Sequence, residues 1–148
     1  MALIDLITPD VIKIPLESNT KTGVLRELAE LLASANKIKE VEPVLDALTQ
    51  RESLGSTGLE KGIAVPHSKT PKVETLTLAI GISPDGIDFD SIDGEPSTLF
   101  FCMVAPPDQS GPHIEALAEI ARLTQSDSFC RLLKEAQGPE EVVELFRE

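Results

Sequence analysis

Hydrophobic positions in the first third of the chain recur at helical spacing. In residues 21–36 the leucines fall on one face, which predicts an amphipathic helix. A second helix is predicted over residues 41–52, where apolar residues again share a face. Before both, residues 11–16 alternate apolar and polar positions and predict a short edge strand, since Pro15 lacks a backbone donor.

The middle of the chain changes to continuous apolar runs. Residues 76–83 and 98–105 have the length and texture of strands that are buried on both faces. A shorter apolar run covers residues 63–66. The acidic segment between the long runs, residues 84–96, predicts a small hairpin or an edge.

The last third of the chain predicts helices again. Residues 114–121 and 127–136 carry apolar faces, and Gly138 followed by Pro139 stops one helix and opens the last one. Helices before and after a group of two-sided apolar strands imply helices on both faces of a mixed sheet. No linker composition interrupts the chain, so we expect one α/β domain over residues 1–148.

Composition narrows the classes of function. The 148 residues are 41% hydrophobic and 26% charged, as in ordinary globular domains, which argues against disorder and coiled coil. There are 25 acidic and 13 basic residues, giving a net charge of −12, which phosphate backbones and anionic lipids repel. With no Trp and no Tyr to stack bases, we expect no nucleic-acid partner.

The chain also lacks targeting features. Asp5 and Asp10 interrupt its apolar N-terminus, and no run approaches the ~20 apolar residues of a spanning helix. Cys102 and Cys130 lie inside apolar segments, so we expect two buried thiols and no disulfide. These features predict a cytoplasmic protein without direct membrane insertion.

His67 is the strongest candidate for chemistry. It follows Pro66, whose fixed φ holds the next residue in a defined direction, and a neutral imidazole offers a lone pair near neutral pH. An isolated histidine is more often a surface or supporting residue. Here a loop containing Ser56, Thr57 and Gly58 precedes it, and the backbone and hydroxyl donors of such loops suit an anion such as phosphate.

Two further residues are candidates for the same site. Arg51 ends the second predicted helix, where its guanidinium suits phosphate oxygens or simply stabilises the helix end. His113 opens a later helix, and the alternative is a first-turn residue at the surface. A metal site is disfavoured because neither histidine has HxxxH or CxxC spacing, and a Ser-His-Asp triad lacks its GxSxG elbow.

The segment from Arg51 to His67, RESLGSTGLEKGIAVPH, resembles the active-site signature of the enzyme IIA (EIIA) domains of fructose, mannitol and nitrogen-regulatory type. These domains belong to the phosphoenolpyruvate-dependent phosphotransferase system. Residues 108–117 resemble the family's second motif. By this resemblance, His67 becomes the phosphohistidine, His113 is the supporting histidine, and Arg51 is the arginine beside the site. Ser68 departs from the glycine that often follows the phosphorylated histidine.

The resemblance implies a three-layer α/β/α sandwich with a mixed central sheet. It also implies that HPr, or its nitrogen-branch homologue, donates a phosphoryl group to His67 without a cofactor, nucleotide or metal. Phosphoryl transfer needs an in-line nucleophile and donors for the equatorial oxygens. His113, Arg51 and the Ser56–Gly58 loop would supply those donors.

Three roles stay open for such a domain. A free-standing chain of this length favours the nitrogen-regulatory branch. The alternative is a sugar-specific EIIA that passes the phosphoryl group to an enzyme IIB (EIIB) domain. A different class is a non-catalytic interaction module on the same fold, which would not need the complete set of Arg51, His67 and His113.

Overall fold

The computed structural model describes residues 2–148, and its centre is a five-stranded sheet. The strands are β1 (Ile12–Lys13), β2 (Ile63–Ala64), β3 (His67–Lys69), β4 (Thr77–Ile87) and β5 (Ser97–Ala105). Their order is β1-β4-β5-β2, with β3 also paired to β5. β4 and β5 are antiparallel, whereas β1 runs parallel to β4 and both β2 and β3 run parallel to β5, so the sheet is mixed.

Five α-helices and three 3-10 turns surround this sheet in the described residues. The helices are α1 (Lys21–Ser34), α2 (Val41–Ser53), α3 (Ser110–Leu123), α4 (Asp127–Glu135) and α5 (Pro139–Arg147). The 3-10 turns are Leu3–Leu6, Pro9–Val11 and Pro107–Gln109. None of the helices formed by residues 2–148 combines the length and the apolarity that crossing a membrane requires.

Side-chain alternation along β5 divides the core into two halves. Phe100 and Cys102 pack with α1 and α2 on one face, while Phe101 and Met103 pack with α3, α4 and α5 on the other. All four side chains are fully buried. This arrangement confirms the expected three-layer α/β/α sandwich with a mixed central sheet.

The central strands differ from the sequence expectation in two places. The segment His67–Lys69 forms β3, which sequence analysis missed because three polar residues carry no apolar alternation. The predicted hairpin over residues 84–96 is wrong, because β4 continues through an irregularity to Ile87 and pairs there with Ser97.

The predicted burial of two cysteines is half right. Cys102 is fully buried, but Cys130 is only half-buried because it lies on α4, the amphipathic helix of the outer layer. Both thiols are free, as expected. Burial raises the pKa of Cys102 to about 12, so this thiol is an inert core group.

A close approach between β4 and α1 generates the first prediction. A Cβ on Gly81 would lie 2.8 Å from Leu16 Cδ2 and 3.0 Å from Leu28 Cδ2, both in the buried core. We expect Gly81→Ala to lower the free energy of unfolding by about 1–3 kcal/mol, as overpacking does, measured by urea unfolding with an unchanged m value.

Gly111 is the matched control for this substitution. It lies in the first turn of α3, and a Cβ there meets no atom within 4 Å. Gly111→Ala is expected to be neutral or to stabilise by up to about 1 kcal/mol. Equal effects at both glycines would contradict the packing argument.

Candidate functional site

The site is built on the edge of the sheet that β2 and β3 form beside β5. Ile63 lies opposite Leu99 and His67 opposite Met103, so the two short strands keep one register. They are interrupted at Pro66, which has no N–H to donate, although its carbonyl still accepts from the Met103 amide at 2.9 Å. The interruption leaves His67 at the first position of β3.

The imidazole of His67 is held by a backbone group two residues earlier. Its Nδ1 lies 2.7 Å from the Val65 carbonyl oxygen. A carbonyl can only accept a hydrogen bond, so Nδ1 carries the proton in this contact. The lone pair of a neutral His67 therefore resides on Nε2. In this half-buried ring, Nε2 is the nitrogen that can act as a nucleophile.

The structure brings His113 beside His67. The two ring centroids lie 5.6 Å apart with an interplanar angle of 79°. His113 is 2% exposed, so the surface alternative is wrong, and its Nε2 has no hydrogen-bond partner within residues 2–148. The Gln109 side chain pins the start of α3 by accepting from the Leu76 amide at 2.7 Å, and this contact helps to fix where His113 lies.

Arg51 lies in the last turn of α2, the helix that packs against β3. Its Nη1 donates to the Gly55 carbonyl at 2.8 Å. A cation in this position stabilises the helix end and closes the turn that leads into the loop. Its contact with a phosphoryl group stays a prediction.

The donors of the Ser56–Gly58 loop are turned into the protein. The Ser56 hydroxyl donates to the Phe89 carbonyl at 2.7 Å, and the Gly58 amide donates to Ser56 Oγ at 2.9 Å. The Thr57 amide and hydroxyl both donate to the Glu52 carboxylate. In this structure the three residues hold the loop in shape, and their phosphate-binding role stays a prediction.

Sequence reasoning missed the ion pair that supports this loop. Lys21 Nζ lies 3.1 Å from Glu52 Oε2, 3.4 Å from Asp90 Oδ2 and 4.8 Å from the centroid of the Phe89 ring. The Glu52 side chain is only 6% exposed. Lys21 and Glu52 are far apart in sequence, and each reads as an ordinary residue at a helix end, so no local pattern reveals the pair.

Comparison with known proteins assigns the chain to one family. Residues 5–148 match the family model described as "Phosphoenolpyruvate-dependent sugar phosphotransferase system, EIIA 2". The chain belongs to this family. Membership of the EIIA family is consistent with a phosphoryl-carrier role.

Relatives of this EIIA domain come from more than one branch. The chain is 35% identical to a nitrogen regulatory protein of Bradyrhizobium diazoefficiens, covering 96% of this chain and 92% of that protein. It is 33% identical to the fructose-specific EIIABC component of Bacillus subtilis, covering all of this chain but only 23% of that protein. The crystal structure of the nitrogen regulatory protein IIA-Ntr from Neisseria meningitidis matches with a TM-score of 0.89 at 29% identity, covering 97% of each chain.

The electrostatics of the EIIA site keep His113 neutral. Burial, followed by repulsion from His67 and Lys69, lowers the pKa of His113 from 6.5 to about 4. Desolvation disfavours the charged imidazolium, and nearby positive charge adds to that effect. The site therefore holds a neutral imidazole with a buried, unpartnered nitrogen next to the His67 ring.

This pKa predicts how stability depends on pH. The folded state binds the His113 proton more weakly than the unfolded state does. His113 therefore leaves the free energy of unfolding unchanged above about pH 6.5 and lowers it progressively as the pH falls toward about 4. His113→Gln removes this titration. We expect the variant to lose about 2–3 kcal/mol less unfolding free energy than the unaltered protein between about pH 7.5 and pH 4.5.

The comparison of the two pH profiles isolates His113, because the carboxylates that titrate in the same range are common to both proteins. Urea unfolding at each pH provides the free energies. Parallel profiles for the two proteins would show that His113 titrates normally in the folded state.

Proposed function

We propose that this EIIA domain is a cytoplasmic phosphoryl carrier in which Nε2 of His67 accepts the phosphoryl group. The hydrogen bond from Nδ1 to the Val65 carbonyl carries the proposal, because it fixes the proton on one nitrogen and leaves the other as nucleophile. The bond from Nε2 to phosphorus forms as the bond from phosphorus to the donor breaks. The donor is HPr or its nitrogen-branch homologue.

His113 and Arg51 complete the proposed site. Transfer places about −1.5 to −2 charges on the His67 ring, whose centroid lies 5.6 Å from that of the His113 ring, and His113 Nε2 has no partner within residues 2–148. That negative charge favours protonation of His113 and a charge-assisted hydrogen bond to a phosphoryl oxygen. Arg51 supplies a second cation from the end of α2. A metal or nucleotide has no part in this step.

The regulatory branch is the role we favour. The nitrogen regulatory relative from Bradyrhizobium and the IIA-Ntr structure from Neisseria are both covered almost completely by this chain. In this role the phosphorylation state of His67 is read by a partner protein. The second candidate is a sugar-specific EIIA that passes the group to an EIIB domain, and two fructose-specific relatives support it, one of which this chain covers to 95% of its length. Transfer of label from the phosphorylated domain to EIIB at a rate matching the first step would favour the second candidate.

The donor surface combines exposed apolar residues with local positive charge. Leu54 is 85% exposed just after α2, and Ile114 is 63% exposed next to His113. Lys69 and Lys72 follow His67 and are both exposed. A transient carrier contact of this kind is small and dissociates quickly. On a chain of net charge −12, such a patch suits an incoming phosphodonor.

The main prediction concerns His67 itself. Incubation with phosphoenolpyruvate, enzyme I and the HPr homologue should give acid-labile, base-stable label, and His67→Ala should abolish it because the nucleophile is removed. His113→Ala is the informative companion, since it should slow labelling by about a hundredfold without preventing folding. Label retained in His67→Ala would overturn the assignment. An unlabelled, folded wild-type domain would favour the interaction module.

A second prediction tests the donor surface. Reversing both Lys69 and Lys72 to Glu should slow phosphorylation by about tenfold at low ionic strength, because exposed charges act through steering. The effect should shrink at about 0.5 M salt, where screening is strong. The same reversal at Lys134 on α4 is the control. A rate that does not change at low salt would move the donor to another face.

A further inference from the structure

Glu52 is a buried carboxylate whose hydrogen bonds point toward the site rather than toward solvent. Its two oxygens lie 3.2 and 3.1 Å from the Thr57 amide nitrogen, and the Thr57 hydroxyl also donates to it. The Glu52 side chain is 6% exposed, and Thr57 is 2% exposed. Both side chains are buried, so any influence they have on the reaction acts through the fold.

The buried charge of Glu52 is paired with a nearby counter-charge. Lys21, in the first turn of α1, reaches across to Glu52 Oε2 at 3.1 Å. Holding a carboxylate away from water is unfavourable unless it is paired and hydrogen-bonded. Three contacts therefore converge on Glu52: one ammonium, one amide and one hydroxyl. They tie α1, α2 and the loop together at one point.

From Thr57 the hydrogen bonds continue to the imidazole. The Thr57 carbonyl accepts from the Val65 amide at 3.0 Å, and the Val65 carbonyl accepts from His67 Nδ1 at 2.7 Å. Thr57 is therefore held at both its amide and its carbonyl, and so is Val65. A displacement of Thr57 would be transmitted to the acceptor that determines which His67 nitrogen carries the proton.

We propose that Glu52 is a positioning residue that fixes the His67 tautomer through Thr57 and Val65. This inference rests on the proposed function of His67. With Glu52 in place, the Val65 carbonyl stays aimed at Nδ1, and Nε2 remains the free nitrogen. Without the Glu52 carboxylate, Thr57 loses its acceptor and Lys21 keeps Asp90 as its carboxylate partner. The Val65 carbonyl then loses its fixed position, and both tautomers of His67 are populated.

Glu52→Gln is the most direct test, because it keeps the side-chain volume and changes the chemistry. A glutamine amide has one oxygen to accept from Thr57, but its NH₂ group is a donor facing other donors. The matched control is Glu42→Gln on the same helix. Glu42 pairs with Arg26 at 2.8 Å, its side chain is 66% exposed, and within residues 2–148 it has no hydrogen bond or ion pair to the loop.

The first measurement is the ¹⁵N spectrum of the unphosphorylated protein labelled at histidine. The chain has two histidines, so two imidazoles appear, and His67→Ala assigns them. In the unaltered protein and in Glu42→Gln, the His67 shifts should report a proton on Nδ1. In Glu52→Gln they should move toward averaged values for the two nitrogens. Unchanged His67 shifts in a folded Glu52→Gln protein would overturn the proposal.

The second measurement separates kcat from KM for the phosphodonor. Because the Glu52 side chain is only 6% exposed, Glu52→Gln should lower kcat by about ten- to a hundredfold while KM changes less than about twofold, as expected for a misplaced nucleophile. A rise in KM alone would overturn the proposal. Absence of phosphorylation in the unaltered protein would refute the proposed function of His67. The NMR spectrum would still test whether Glu52 determines the His67 tautomer.

Two substitutions of Thr57 keep the proposal testable if Glu52→Gln does not fold. Thr57→Ser retains both donors to Glu52, and Thr57→Val retains the shape but loses the hydroxyl donor. We expect Thr57→Ser to keep the His67 tautomer and Thr57→Val to shift it and to lower kcat. Identical spectra and rates for the two variants would contradict the link from Glu52 to His67.

Discussion

The outer edge of the sheet, where β2 and β3 run beside β5, determines the chemistry of the site. An edge strand leaves backbone donors and acceptors without a strand partner. At Val65 the amide is taken by the Thr57 carbonyl at 3.0 Å and the carbonyl by the His67 ring at 2.7 Å. The same geometry therefore covers an open edge and selects the histidine tautomer. Pro66 fits here because only an edge position tolerates a missing donor.

The two histidines lie side by side because a strand of the sheet and a helix of the outer layer pack against each other. His67 belongs to the sheet, whereas His113 lies in the first turn of α3 and its side chain is buried. Two imidazolium ions at a centroid distance of 5.6 Å would repel each other, and burial adds a desolvation penalty. Neutrality of His113 is therefore a consequence of packing. Its buried Nε2 has no hydrogen-bond partner within residues 2–148.

Local sequence patterns predicted those helices and strands in which hydrophobic residues recur at a regular spacing or in a continuous run. The predicted helix over residues 41–52 matches α2 to within one residue, and the long apolar runs became β4 and β5. Strand β3 was not predicted because His67–Lys69 has no hydrophobic face. This strand forms through its pairing with β5. The burial of His113 escaped because the segment before it is rich in proline and glycine, which resembles a surface loop.

The support beneath the site was the least predictable part, for a physical reason. Lys21 and Glu52 belong to two helices whose relative placement depends on the packing of the first core half. Neither residue carries a sequence signal for burial, because charged residues at helix ends are normally exposed. The glycine and hydroxyl content of the loop predicts an anion-binding site. The structure instead directs those donors to Glu52 and Phe89.

A carrier differs from an enzyme that only consumes a phosphoryl group, because it must release what it accepts. Stabilising the loaded state alone would slow unloading without lowering the barrier to loading. A permanent cation at His113 would do this. Burial lowers the pKa of His113 to about 4, so on the proposed mechanism this imidazole would be protonated only while the added negative charge is present. In the proposed reaction this balance follows from burial, the property that makes His113 part of the core.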